Sequence, residues 1–134
     1  MMYRLQPGII VNNRSARFIR PTDDKPTPEI EVLTQGDFDT PEQQIGKFQN
    51  QRPWESCITL TECPDGGGWS YRPECRTRSF KECIQILVHC ACGDGNLLLN
   101  IGPKPTGEIP EEQVAVLKEI GVWLKKYGES IYRT

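Results

Sequence analysis

The spacing of apolar and polar positions changes period along the chain, and each period predicts a different element. Gly8-Ile9-Ile10-Val11-Asn12 is a short β-branched run behind a Pro-Gly turn, which predicts a buried strand. From Asn13 to about Pro53 the chain turns polar, with Pro21, Pro26, Pro28 and Pro41 and no sustained period. This predicts a long loop, and loops of that length inside a domain are functional or disordered. Ser56-Cys57-Ile58-Thr59-Leu60 predicts the next strand, entered from Arg52-Pro53-Trp54-Glu55. A turn-rich segment then runs through Gly66-Gly67-Gly68 to Arg78.

Helical spacing begins at Ser79-Phe80-Lys81-Glu82, a capping box with Ser79 as N-cap and Glu82 at N3. Phe80, Ile84, Leu87, Val88 and Ala91 recur on one face behind it, and Gly93 is a suitable stop. Leu97-Leu98-Leu99-Asn100-Ile101 is a continuous apolar run, as expected of a strand buried on both faces of a parallel sheet. Pro110 at N1, with Glu111 and Glu112 in the first turn, opens a second helix. Val114, Leu117, Ile120, Leu124 and Tyr127 form its predicted inner stripe, and Gly128 ends it.

Strands and helices therefore alternate, which argues for an α/β fold with a parallel sheet. Two architectures fit: a small doubly wound sheet, or a piece of a (β/α)8 barrel. In both, chemistry belongs in the loops leaving the C-terminal ends of strands. A whole barrel takes about 250 residues, so on the barrel reading these 134 residues are roughly half of one. The chain would then be entered midway, at the mouth of a strand.

Composition narrows the functional classes. A net charge of -2 gives no reason to expect nucleic acid as a partner, and no apolar run is long enough to span a membrane. The opening residues Met1 to Pro7 contain no apolar core of a signal peptide. Cys57, Cys63, Cys75, Cys83, Cys90 and Cys92 include no C-x-x-C pair, and the only histidine, His89, lies in a predicted helix as a packing residue. A structural metal site is not expected. The even cysteine count leaves disulfides open, Cys63 with Cys75 being one example. Cys57, Cys83 and Cys90 sit in apolar runs, where thiols act as small hydrophobes.

Few residues suggest chemistry unaided. Glu42 closes Gly36-Asp37-Phe38-Asp39-Thr40-Pro41-Glu42, three carboxylates within six residues, and could serve as an acid/base. The alternative is that Asp37 or Asp39 caps a turn. Arg14 follows the first strand and could clamp a carboxylate or hydroxyls; Asn13-Arg14-Ser15 is also a glycosylation sequon. Trp54 and Trp69, in loops or beside strand ends, offer apolar faces to sugar rings.

Taken together, the segments Arg4–Arg14, GDFDTPEQ at Gly36–Gln43, RPWESCITL at Arg52–Leu60, WSY at Trp69–Tyr71 and GNLLLNIGPKPTGEIP at Gly95–Pro110 resemble the α-L-fucosidases of glycoside hydrolase family twenty-nine. Residues Ile120–Leu124 and Tyr127–Tyr132 resemble the family's last barrel helix. The resemblance implies that residues 1–134 are the later part of one partial (β/α)8 TIM-type catalytic barrel, without its first strands or the β-sandwich that follows it. It implies retaining hydrolysis of terminal α-L-fucose from glycans through a covalent intermediate, without cofactor or metal, in an enzyme that is typically secreted, periplasmic or lysosomal. Matched motif by motif, Glu42 corresponds to the acid/base, Arg14 and Trp69 to fucose contacts, Trp54 to a further candidate contact, and Asp37 to a residue behind Glu42. The nucleophile, an Asp on an earlier W-x-D strand, has no counterpart here, nor do the histidines that hold the sugar hydroxyls. The family's V-N-D-R is V-N-N-R in this chain. The chain alone is therefore expected to be inactive. The competing expectation is a non-catalytic remnant that binds carbohydrate or a protein partner.

Overall fold

The computed structural model describes residues 2–15, 36–46 and 52–132. In chain order these form a short helix α1 (Met2–Leu5), strands β1 (Glu55–Thr59), β2 (Thr61–Glu62) and β3 (Arg76–Thr77), helix α2 (Phe80–Cys92), strand β4 (Asn96–Asn100) and helix α3 (Glu111–Tyr127). Strands β1 and β4 pair in parallel from Glu55 opposite Asn96 to Thr59 opposite Asn100, and β2 and β3 make a small antiparallel hairpin. Helix α2 connects the hairpin to β4 and packs against it, and α3 packs on α2. This is the expected parallel α/β arrangement, and no barrel closes among the described residues.

The long segment predicted as a loop contributes backbone to the sheet. Isolated parallel bridges join Asn12 to Phe38, Asp39 to Trp54 and Glu42 to Cys57. Residues 11–13, residues 37–43, β1 and β4 therefore lie side by side in that order, all running the same way. Within the described residues, the expected first strand, Gly8–Asn12, shrinks to its end. Gly8 sits in a turn at φ 89°, and Ile10 is 73% exposed because no layer covers it. Burial on both faces is found in β1, where Ser56 through Leu60 are all buried, and not in β4, where Leu98 is 44% exposed. The reason is position: β1 has paired neighbours on both sides, whereas β4 is outermost among the described residues.

Trp54 is the largest side chain of the core and is 2% exposed. Its indole lies between Gly46 and Gly95, and a Cβ at either glycine would overlap the ring. The Gly93–Gly95 connection between α2 and β4 therefore needs glycine for close approach, beyond serving as a helix stop. The buried edge of α2 is Cys83 and Cys90, with Phe80, Ile84, Leu87, Val88 and Ala91 only half-buried. Burial pushes both thiols above the ordinary cysteine range. His89 is exposed, which corrects its reading as a packing residue. In α3 the buried side chain is Gln113, while Tyr127 turns outward and lies tilted against Trp123 with 5.4 Å between centroids. Pro110 is the N-cap and not N1, a one-residue offset.

The capping box of α2 forms as its sequence dictates: Ser79 Oγ accepts from the Glu82 N–H, and Glu82 accepts from the Ser79 N–H at 2.7 Å. Glu82 also accepts from Arg76 on β3, which ties the hairpin to the helix. Arg76, then Ser79, hold the Glu82 carboxyl well below the usual carboxylate range. A depressed folded pKa contributes stability that is complete above the unfolded value near 4.5 and fades as pH falls toward the folded one. Ser79→Ala is expected to cost about 1 kcal/mol. Glu82→Gln is expected to flatten the loss of stability between about pH 4.5 and 2, read from urea midpoints across that range.

Cys63 and Cys75 form a disulfide that closes the loop between β2 and β3. Within the loop Arg72 pairs with Asp65 and Glu74. Cys57, Cys83 and Cys90 are buried thiols, and Cys92 is an exposed one. By the chain-entropy argument for a loop this short, reduction should lower unfolding free energy by about 2–3 kcal/mol. Comparing denaturant midpoints with and without a thiol reductant measures it, and a Cys63→Ser/Cys75→Ser variant should match the reduced protein.

Candidate active site

The C-terminal ends of the parallel segments bring together residues far apart in sequence. Segment 37–43 is held on both sides by backbone hydrogen bonds: the Asp37 N–H donates to Val11 O, and the Asn13 N–H to Phe38 O. On the other side the Asp39 and Gln43 N–H groups donate to Pro53 and Cys57, and the Glu55 and Cys57 N–H groups return bonds to Asp39 and Pro41. Gly36, at φ 95°, enters the segment so close to the Asn12 carbonyl that a Cβ there would collide with it. Arg14 and Glu42 thereby emerge from neighbouring segments at the same end of the sheet.

Their side chains meet as an ion pair between Arg14 Nη1 and Glu42 Oε1. Both are about half exposed, so the pair is worth less than about 1 kcal/mol to folding. It organises the site more than it stabilises the fold. Arg14 is gripped a second time by Thr40: Nε donates to the hydroxyl at 2.9 Å and Nη2 to the carbonyl at 3.3 Å. The Glu42 carboxylate, as the main cause, holds the guanidinium pKa above its ordinary value, with a smaller contribution from the nearby Cys57 thiol.

Behind this pair is a second tier. The Thr40 hydroxyl donates to Asn13 Oδ1 at 2.8 Å, and Asn13 Nδ2 donates to Asp39 Oδ1 at 3.3 Å. Asp39 is paired with Arg52, which also donates to the Gly36 carbonyl. Both ends of the Asn13 amide are thus engaged, and a glycan on Nδ2 of the Asn13 sequon would crowd the contact with Asp39. With an Asp at position 13, as in the family's V-N-D-R, a second carboxylate would face Asp39. Asn13 supplies a donor instead.

The other candidates are placed as follows. Asp37 is exposed and accepts from the Val11 N–H at 2.8 Å, at the start of the segment that carries Glu42. Trp69 is 38% exposed, in the disulfide-closed loop. That loop reaches the Glu42 segment through a relay of contacts. Gly68 O accepts from Thr61 Oγ1, Thr59 Oγ1 donates to Thr61 O, and Gln43 Nε2 donates to Thr59 Oγ1. Gly102, just past β4, packs against the backbone of Ser70 and Tyr71. Its N–H donates to the buried Gln113. Trp54 is inside the core and offers no face to this surface. Sequence reading assigns no role to Thr40, Gln43 or Thr59, and to Asp39 only that of a turn cap. The one available signal was Pro41, which biases Thr40 toward extended backbone and so toward a strand within the supposed loop.

A model of the α-L-fucosidase family matches residues 2–129. The plasma α-L-fucosidase of Rattus norvegicus is 39% identical over 84 residues, covering 60% of this chain and 17% of that protein. Among solved structures, the α-L-fucosidase isoenzyme 1 of Paenibacillus thiaminolyticus superposes with a TM-score of 0.76 at 35% identity, over 98% of this chain and 30% of that one. A family twenty-nine α-L-fucosidase of Bacteroides thetaiotaomicron gives 0.74 at 25% identity, over 98% and 31%. That protein is a Glu-to-Gln variant trapped as a covalent intermediate with 2-fluoro-fucosyl fluoride. The chain spans less than a third of each of these relatives.

Proposed function

Because the chain belongs to the α-L-fucosidase family, we propose that it is the later part of the (β/α)8 catalytic barrel of a retaining α-L-fucosidase. Glu42 is its general acid/base. The observation that carries this reading is the Arg14–Glu42 pair at the C-terminal ends of adjacent parallel segments, where barrel enzymes keep their chemistry. The covalent intermediate trapped in the Bacteroides relative supports the retaining course.

In the first half-reaction an Asp carboxylate, on a strand outside these 134 residues, attacks C1 of the fucosyl unit. Glu42 donates its proton to the departing glycosidic oxygen. In the second half, Glu42 as carboxylate takes a proton from water, whose oxygen attacks C1 and releases fucose and the free Asp. The two carboxyl groups should stand about 5–5.5 Å apart. Arg14 serves both halves by exchanging partners. Paired with Glu42 it holds the carboxylate ready as base; drawn to the fucose hydroxyls it releases Glu42 to carry a proton. Trp69 supplies an apolar face for the sugar, and Asp37 fixes the backbone beside Asn12 and Asn13. Trp54 supports the site from within the core without touching fucose.

The substrates are fucosylated glycans, and among the described residues no helix is long and apolar enough to cross a membrane. Hydrolysis of 4-nitrophenyl α-L-fucoside tests the proposal. The complete catalytic domain should release nitrophenol with retention at C1, read by proton NMR of the first-formed fucose. The 134-residue chain alone should release none above background. Inversion at C1, or activity of the chain alone, would overturn it.

A further inference from the structure

We infer that Thr40 is a positioning residue that aims Arg14 at Glu42; the consequence for catalysis rests on the function proposed above. A guanidinium on a long side chain at a half-exposed strand end has many rotamers available, and one ion pair in water does not select among them. Thr40 selects one. Its hydroxyl and carbonyl accept from Arg14 Nε and Nη2, leaving Nη1 directed at Glu42. A hydroxyl has one proton and two acceptor sites. The Thr40 proton is committed to Asn13 Oδ1, so a lone pair must face Arg14. The amide of Asn13 is itself oriented by Asp39, which Arg52 holds. Orientation thus passes from Arg52 through Asp39, Asn13 and Thr40 to Arg14, with donor and acceptor fixed at each link. Pro41 next to Thr40 keeps the backbone extended, so the hydroxyl and the carbonyl are presented together.

The distinguishing property of Thr40 is the hydroxyl, since its methyl makes no part of this chain of bonds. Thr40→Val removes the hydroxyl at nearly constant shape, and Thr40→Ser keeps it. The direct measurement is exchange of the Arg14 Nε–H with water, followed by nitrogen-15 NMR in the 134-residue chain and assigned by its loss in Arg14→Lys. The wild-type proton should be protected. Thr40→Val should exchange it about tenfold faster, the effect of losing one charge-assisted hydrogen bond, and Thr40→Ser should restore protection. In the complete domain Thr40→Val should lower kcat, with Thr40→Ser close to wild type. An unprotected wild-type proton, equal protection in Thr40→Val, or failure of Thr40→Ser to restore it would overturn the inference. Protection that follows the hydroxyl in a domain without fucosidase activity would uphold the positioning and refute the proposed function, so the two failures are separable.

Discussion

Glu42→Gln in the complete domain is expected to lower turnover of substrates with poor leaving groups by about 10²–10⁴-fold. Gln cannot donate a proton to the departing oxygen or remove one from water, yet it matches Glu in shape. Because the Arg14–Glu42 pair is half exposed, the fold should lose less than about 1 kcal/mol. An aryl fucoside with an activated leaving group needs no protonation in the first step. For that substrate the loss should fall on hydrolysis of the fucosyl-enzyme, and added azide should restore turnover as the fucosyl azide. Measuring kcat for the two substrates, with and without azide, separates the roles. Unchanged kcat with a poor leaving group would remove Glu42 from the mechanism.

Trp54→Ala is expected to have the opposite profile. The indole fills the space between Gly46 and Gly95 and is 2% exposed. Truncating a buried aromatic of this size costs about 3–5 kcal/mol, enough to unfold many domains outright. Trp54→Phe should recover part of that loss, since it keeps an aromatic ring and leaves a smaller cavity than Ala, and the indole N–H it removes has no protein partner. Urea denaturation of the three proteins reads the effect. If Trp54→Ala left stability unchanged and weakened fucose binding instead, the assignment of Trp54 to the core would be wrong.

The two tryptophans show where sequence patterns inform and where they stop. Both stand beside strand ends or in loops, and both were candidates for stacking on sugar. Burial separates them, and burial depends on glycines at positions 46 and 95 converging on one ring. No local period encodes that convergence. The helices were legible because their determinants are local: Ser79 with Glu82, Pro110 with Glu111, Gly93 and Gly128. Strand β1 was legible from the short run Ser56–Leu60 between turn-rich segments, whereas the β-branched run at Gly8–Asn12 was not enough to make a strand. The extended segment at 37–43 was not, because apart from Phe38 it is polar and its pairing is made by backbone to residues 11–13 and 53–57. Family resemblance pointed to Glu42 and Arg14. It could not foresee that Thr40 and Asn13 hold them in place, since those contacts join residues 26 or more apart.

The parallel pairing of β1 with β4 also bears on how the chain reaches this arrangement. Each rung joins residues 41 apart, from Glu55 with Asn96 to Thr59 with Asn100. The hairpin, its disulfide and the capping box all lie between those strands and close over short separations. Loop closure is costly before long-range contacts repay it, and high contact order slows folding. Local units are thus available to form first, shortening the effective distance that the sheet must bridge. On a ribosome, β1 would wait for residue 100 to emerge before its second neighbour, β4, exists. Over that interval the edge that β4 will cover is open to any strand that arrives sooner.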